Sequence, residues 1–267
     1  MRLIVLGAGF TGKVLADAAR EQYAGVVTTQ RTASPESSAL VWASPAPLPC
    51  EADHGVVLFP PRGLDPAAAA APLSGLRRLV YVSATSVYGD RAGAEADEST
   101  PPNPTHPSAV ARLAAEDAMR AVGAVVVRAG GIYGPGRNMV ERHRAGQLRN
   151  AGDPDRPVNL IHVSDLTAII LACLERGVPG EVVLAVTGRP VSWRALAEVA
   201  VERTGRPLPG PTPVPEDPDL ASFYTESKRL RPTTHERLGV TLRFPDSVAA
   251  LRDVPLLAPS TDALQRG

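Results

Sequence analysis

The chain alternates short apolar runs with amphipathic stretches, and this alternation predicts strands and helices in turn. Residues 2–6 are apolar and β-branched and stop at Gly7, the pattern of a strand buried on both faces. From Thr11 to Arg20 the period lengthens, with Val14, Leu15, Ala18 and Ala19 on one helical face. Further strands are expected over residues 25–29, 40–43 and 55–59, the last stopped by Pro60 and Pro61. Asp65 followed by Pro66 reads as an N-cap with proline in the first helical position, opening an Ala-rich helix that Pro72 cuts short. A strand over 78–83, a polar loop over 89–106, a helix over 108–122 and a strand over 124–128 follow. Strands alternating with helices predict an α/β fold, a Rossmann-type doubly wound parallel sheet.

The second half is less regular. Residues 129–157 are rich in Gly, Arg and Pro and read as loop with at most one helix. A strand over 158–163, a helix over 165–175 capped by Ser164, and a strand over 182–186 restore the alternation. Ser192 then caps a helix to about residue 204, and 205–219 holds six prolines and reads as an extended connection. The expected organisation is a dinucleotide-binding domain over 1–128, to which 158–186 returns. A smaller, irregular C-terminal substrate lobe is expected from 129–157 and 187–267.

Composition narrows the function classes. With 267 residues, 44% hydrophobic and 21% charged, the chain is long enough for one core and a smaller lobe. Its formal net charge is zero and it has no long run of one sign, which argues against nucleic acid or an anionic membrane surface as a partner. No apolar run approaches the ~20 residues that span a bilayer, and the first residues lead straight into a glycine loop. Cys50 and Cys173 lie far apart and read as free thiols of a reducing compartment, so a cytoplasmic location is expected. His54, His106, His143, His162 and His235 are scattered without metal-ligand spacing, and no metal is expected. Basic residues are almost all arginine, with only Lys13 and Lys228 as lysines, so scattered arginines carry little weight as site evidence.

The chemistry starts at Gly7-Ala8-Gly9-Phe10-Thr11-Gly12, a G-x-G-x-x-G directly after a strand and opening a helix. Gly7 permits the tight turn, Gly9 lets a pyrophosphate approach the backbone, and Gly12 lets helix and strand pack closely, with Phe10 and Thr11 between them. The helix N-terminus offers free N–H groups and a partial positive charge to phosphates. At the end of the second strand, Thr28-Thr29-Gln30-Arg31-Thr32 lacks the carboxylate that would bind ribose hydroxyls. Arg31 with neighbouring hydroxyls suits a 2′-phosphate, so NADP is favoured over NAD.

Further along, Tyr81-Val82-Ser83-Ala84-Thr85-Ser86-Val87-Tyr88-Gly89-Asp90 resembles the active-site strand of the extended short-chain dehydrogenases/reductases, the sugar-nucleotide epimerase and dehydratase branch. Three further segments match in order: residues 128–138 (RAGGIYGPGRN), 159–165 (NLIHVSD), and Ser227-Lys228-Arg229 with Leu238-Gly239-Val240. The resemblance implies a Ser or Thr hydrogen-bonding the reacting oxygen, where this chain has Ala84. It implies a Tyr-x-x-x-Lys where this chain has Ser108 and Arg112, with Leu113 and Glu116 holding the register. Tyrosine serves there as acid/base because a nearby cation lowers its pKa; a serine hydroxyl titrates far higher, and a guanidinium is a poor proton relay. Arg112 retains the charge to hold the nicotinamide ribose. Ser83, Thr85 and Ser86 supply hydroxyls around the altered strand end and Ser108 another at the tyrosine position; His106 lies two residues before Ser108, and Tyr88 and Tyr133 lie in the matched motifs. By resemblance Tyr133, Arg137 and Asn159 are candidates for the substrate, and His162 is structural. The same resemblance makes a homodimer a candidate assembly.

Two readings follow. One is an NAD(P)-dependent oxidoreductase or epimerase-like enzyme using a non-standard acid/base on a small carbonyl or nucleotide-sugar type substrate. The other is a non-catalytic NADP(H)-binding redox sensor or regulatory protein, motivated by the altered triad.

Overall fold

The computed structural model describes residues 1–33, 37–59 and 63–256; Pro60 and Pro61, read above as a strand stop, lie outside them. Seven strands form one parallel sheet: β1 (Arg2–Leu6), β2 (Gly25–Gln30), β3 (Leu40–Val41), β4 (His54–Val57), β5 (Arg78–Ala84), β7 (Val125–Ala129) and β11 (Val182–Ala185). Their order is β11-β7-β5-β4-β1-β2-β3, so the chain winds outward from β1 to one edge and then crosses to the other. Three two-stranded pairs complete the strands. These are β6 (Glu95–Ala96) with β13 (Arg229–Leu230), β8 (Gly131–Tyr133) with β10 (Leu160–His162), and β9 (Pro157–Val158) with β12 (Val191–Ser192). The helices are α1 (Phe10–Ala19), α2 (Pro66–Ala70), α3 (Pro107–Ala121), α4 (Met139–Arg144), α5 (Val163–Arg176), α6 (Trp193–Thr204), α7 (Pro218–Thr225) and α8 (Ser247–Asp253).

The unbroken apolar strands are buried because helices cover both faces. One face packs Leu3, Val5, Val80, Val82 and Val127 against Leu15 of α1 and Leu166, Ile169 and Ile170 of α5. The other packs Ile4, Leu6, Tyr81 and Val126 against Ala69 of α2 and Ala115 and Met119 of α3. Asp65 caps α2 as expected, its carboxylate accepting from Ala68 N–H at 2.7 Å. The cap of α5 differs from the expectation: the ring of His162, not Ser164, accepts from the helix, taking Ser164 N–H at 3.2 Å. The strand expected at 158–163 divides between β9 and β10 and joins no part of the central sheet. Residues 182–185 do return to it, parallel to β7.

Both cysteines are free, and burial pushes the Cys173 thiol up to about 12, which leaves it inert. Burial also pushes His54, His162 and His235 below the ordinary 6.5. Each of these groups is more easily protonated unfolded than folded, so its contribution to stability is present above pH 6.5 and is lost as pH falls through the folded values. Denaturant midpoints are therefore expected to fall between about pH 6.5 and 5, before most carboxylates titrate. A flat midpoint across that window contradicts this.

Candidate functional site

The glycine loop joins the carboxyl end of β1 to α1, where ligands of such sheets bind. Gly7 has φ +126°, a conformation that favours glycine, and its N–H and that of Ala8 donate to Thr29 O at 3.2 and 2.8 Å. The loop is thereby tied to the end of β2, which sets Gln30 and exposed Arg31 beside it. A Cβ on Gly12 would meet Gly7 O at 1.9 Å, so only glycine lets the helix approach the loop. A Cβ on Gly9 would meet nothing within 4 Å. Gly9 is also the N-cap of α1, with no side-chain cap and no acidic residue in the first turn. Among the described residues, the first N–H groups of α1 thus have no competing side-chain acceptor, which fits a pyrophosphate. Arg137, expected at the substrate, instead stands over the Phe10 ring at 5.3 Å, beside this loop.

A cavity of about 560 Å³ opens at the carboxyl end of β5. Ala84, Thr85 and Ser86 line one side, Ser108 and Arg112 of α3 another, and Asn159, Lys228 and residues of α7 close over them. The structure therefore brings together Thr85, Ser108 and Arg112, with the Ala84 methyl among them. Arg112 lies beside the hydroxyl of Tyr81, whose pKa burial pushes up to about 12.

Ser83, also expected here, is not on the cavity wall. Successive strand residues face opposite sides, and Ser83 turns inward where Ala84 turns out. Its hydroxyl donates to Glu116 Oε1 at 2.5 Å. Glu116 in turn takes Arg128 in a forked pair, with Nη2 to Oε2 at 2.7 Å and Nε to the two oxygens at 3.2 and 3.1 Å. Both side chains are buried, and the guanidinium stacks 4.8 Å from the Tyr88 ring. Burial opposes the Arg128 charge, and Glu116 more than offsets it. This cluster clamps α3 to β5 and β7 and so fixes where Ser108 and Arg112 stand. Tyr88 is committed as well, donating to Asp97 O at 2.8 Å.

Two more expected substrate residues have structural partners. Tyr133 is buried among Val140, Leu196 and Leu251, and burial raises its pKa. Asn159 does line the cavity, but its amide donates to Lys228 O at 2.9 Å and accepts from Leu230 N–H at 2.9 Å, pinning β13 to the strand end. Asp219, Glu226 and Lys228 reach the cavity from the C-terminal segment, and motif reading missed all three as site residues. The one signal in the sequence was Lys228, a lysine in an arginine-rich chain.

A family model for the NAD dependent epimerase/dehydratase family matches residues 63–185, the span that carries β5, α3, β7 and β11. A functionally unknown conserved protein from Silicibacter pomeroyi DSS is 32% identical in sequence, over 94% of this chain and 96% of that one, with a TM-score of 0.80. Residues 63–185 thus carry a domain of the NAD-dependent epimerase/dehydratase family. Mouse dTDP-D-glucose 4,6-dehydratase is 28% identical over 149 residues, 50% of this chain and 41% of the mouse protein. The match thus spans less than half the length of that relative. A human epimerase family protein, SDR39U1 (isoform 2), with NADPH, shares the fold at a TM-score of 0.76 and 21% identity, covering 95% of this chain and 99% of that one. The present chain has Ser108 and Arg112 at the cavity wall, where the resemblance implied Tyr-x-x-x-Lys. Among the described residues, no helix is long and apolar enough to cross a membrane.

Proposed function

We propose that this chain binds NADP(H) across the glycine loop and acts as an oxidoreductase or epimerase-like enzyme on a small carbonyl or nucleotide-sugar type substrate held in the cavity. The observation that carries the reading is the space left over Gly9 by the described residues, in front of the uncapped N-terminus of α1 and at the same carboxyl end of the sheet as the cavity. Gly7, Gly9, Phe10, Thr11 and Gly12 would hold the pyrophosphate, with Arg137 flanking it, and Arg112 would hold the nicotinamide ribose. The bound dinucleotide would supply or accept a hydride. The chain's own part is to orient the substrate, exclude water and move a proton. Thr85 and Ser108 are the hydroxyls placed for that, with Asn159 fixing the wall that faces them. Residues 1–128 with 158–186 would form the dinucleotide domain, and the remainder would cover the substrate.

The preference for the phosphorylated cofactor rests on Arg31. It follows β2, is exposed, and is held beside the loop by the Thr29 carbonyl. An arginine–phosphate contact contributes about 1.5–3 kcal/mol. Arg31→Gln is therefore expected to weaken NADPH binding by about tenfold or more and to leave NADH binding unchanged, read by cofactor fluorescence titration. Equal losses for both cofactors would refute this role for Arg31.

A further inference from the structure

His106 lies directly behind Ser108, the residue at the usual tyrosine position, and is only 6% exposed. Its Nδ1 stands 2.7 Å from Asp219 Oδ1 and 3.2 Å from Ser108 Oγ. Its Nε2 has no hydrogen-bond partner among the described residues and faces Glu226 Oε1 at 3.7 Å. Glu226 is itself held by Lys228 Nζ and by Thr105 Oγ1, and Lys228 Nζ donates to Gly89 O at 2.7 Å. Asp219 Oδ1 also accepts Ser108 N–H at 3.0 Å; that N–H and His106 hold its carboxyl below the usual carboxylate range. Ser108, by contrast, is exposed and opens on the cavity. A buried imidazole thus has a carboxylate at each nitrogen and a cavity-facing hydroxyl within reach of one of them.

We propose that Ser108 and His106 form a proton relay that takes the place of the absent tyrosine. Its use in hydride transfer rests on the function proposed above. As hydride from a reduced nicotinamide would bond to the substrate's carbonyl carbon, the C=O π pair would move onto the oxygen, the Ser108 O–H bond would break and a new O–H bond would form on that oxygen. Ser108 Oγ recovers a proton from His106 Nδ1, and the ring passes from imidazolium to neutral imidazole while Nε2 keeps its proton towards Glu226. In the oxidative direction each transfer reverses. The serine never has to exist as a free alkoxide, which removes the objection that its own pKa is too high. Asp219 and Glu226 are positioning residues that orient the ring with Nδ1 between Asp219 and Ser108, and Lys228 fixes Glu226.

Diisopropyl fluorophosphate tests the relay without knowledge of the substrate. Ser108 Oγ bonds to phosphorus, fluoride leaves, and the serine proton passes to Nδ1 of the neutral ring. Peptide mass spectrometry is expected to find the label on Ser108, with none there in Ser108→Ala. The rate is expected to fall about 10²-fold in His106→Gln. Free imidazole is expected to restore labelling in His106→Ala, as a purely structural histidine would not allow. No label on wild-type Ser108, an unchanged rate in His106→Gln, or failure of imidazole rescue would overturn the relay. NADPH titration of the same samples separates the two proposals. Fast His106-dependent labelling without NADPH binding would overturn the cofactor reading alone, and tight NADPH binding with unreactive Ser108 would overturn the relay alone.

Discussion

Gly9→Val is expected to abolish measurable NADPH binding, a loss of about 100-fold or more, while the protein stays folded. The backbone at Gly9 is extended, so a side chain there brings no conformational strain, and among the described residues a Cβ would meet no atom within 4 Å. The valine would instead fill the space through which a pyrophosphate must approach the first N–H groups of α1. A 100-fold loss corresponds to about 2.7 kcal/mol, less than the loss of the several charge-assisted hydrogen bonds that such a site supplies. Gly12→Ala makes the contrast. Its Cβ would lie 1.9 Å from Gly7 O, so that variant loses stability and binding together. Titration with NADPH beside a denaturation curve separates the two cases. A folded Gly9→Val protein with wild-type affinity would mean that the dinucleotide does not bind here.

The largest stability effect is expected from Glu116→Leu. The substitution leaves Arg128 charged and buried without its forked partner, and it leaves the Ser83 hydroxyl without its acceptor. Breaking a buried pair from one side costs about 3–5 kcal/mol. The double variant Glu116→Leu with Arg128→Met removes both charges and is expected to recover most of that loss, since desolvation of the pair opposes its attraction. Denaturant unfolding of the single and double variants measures both. A single-variant loss below about 1 kcal/mol would show that the pair does not clamp α3 to the sheet. The cavity follows the same clamp, because Ser108 and Arg112 stand on α3 about two turns and one turn before Glu116, respectively.

What the sequence disclosed was local. Short apolar runs placed β1, β4 and β5, and the order of strands and helices implied the doubly wound sheet. The glycine loop was legible because its three glycines do three separate steric jobs within six residues. The cavity was half legible: Thr85, Ser108 and Arg112 do meet there. Ser83 does not, although the two-residue period of a strand already sets it opposite Ala84. Tyr133 and Arg137 sit in a matching segment, yet a motif says nothing about which wall its side chains turn to. One packs beneath α6 and α8, the other over Phe10. The partners of His106 were least legible. Asp219 lies 113 residues away on a helix that follows a run of prolines, and no short spacing joins them.

The central claim is that the glycine loop receives a nicotinamide dinucleotide whose reacting end meets the cavity beside Ser108 and Arg112. Hydrogen–deuterium exchange of the whole protein with and without NADPH tests it most directly. The account predicts saturable protection of the backbone at residues 7–13 together with the Ala84–Ser86 and Ser108–Arg112 segments. Binding that leaves residues 7–13 unprotected, or no saturable binding at millimolar NADPH, would contradict it.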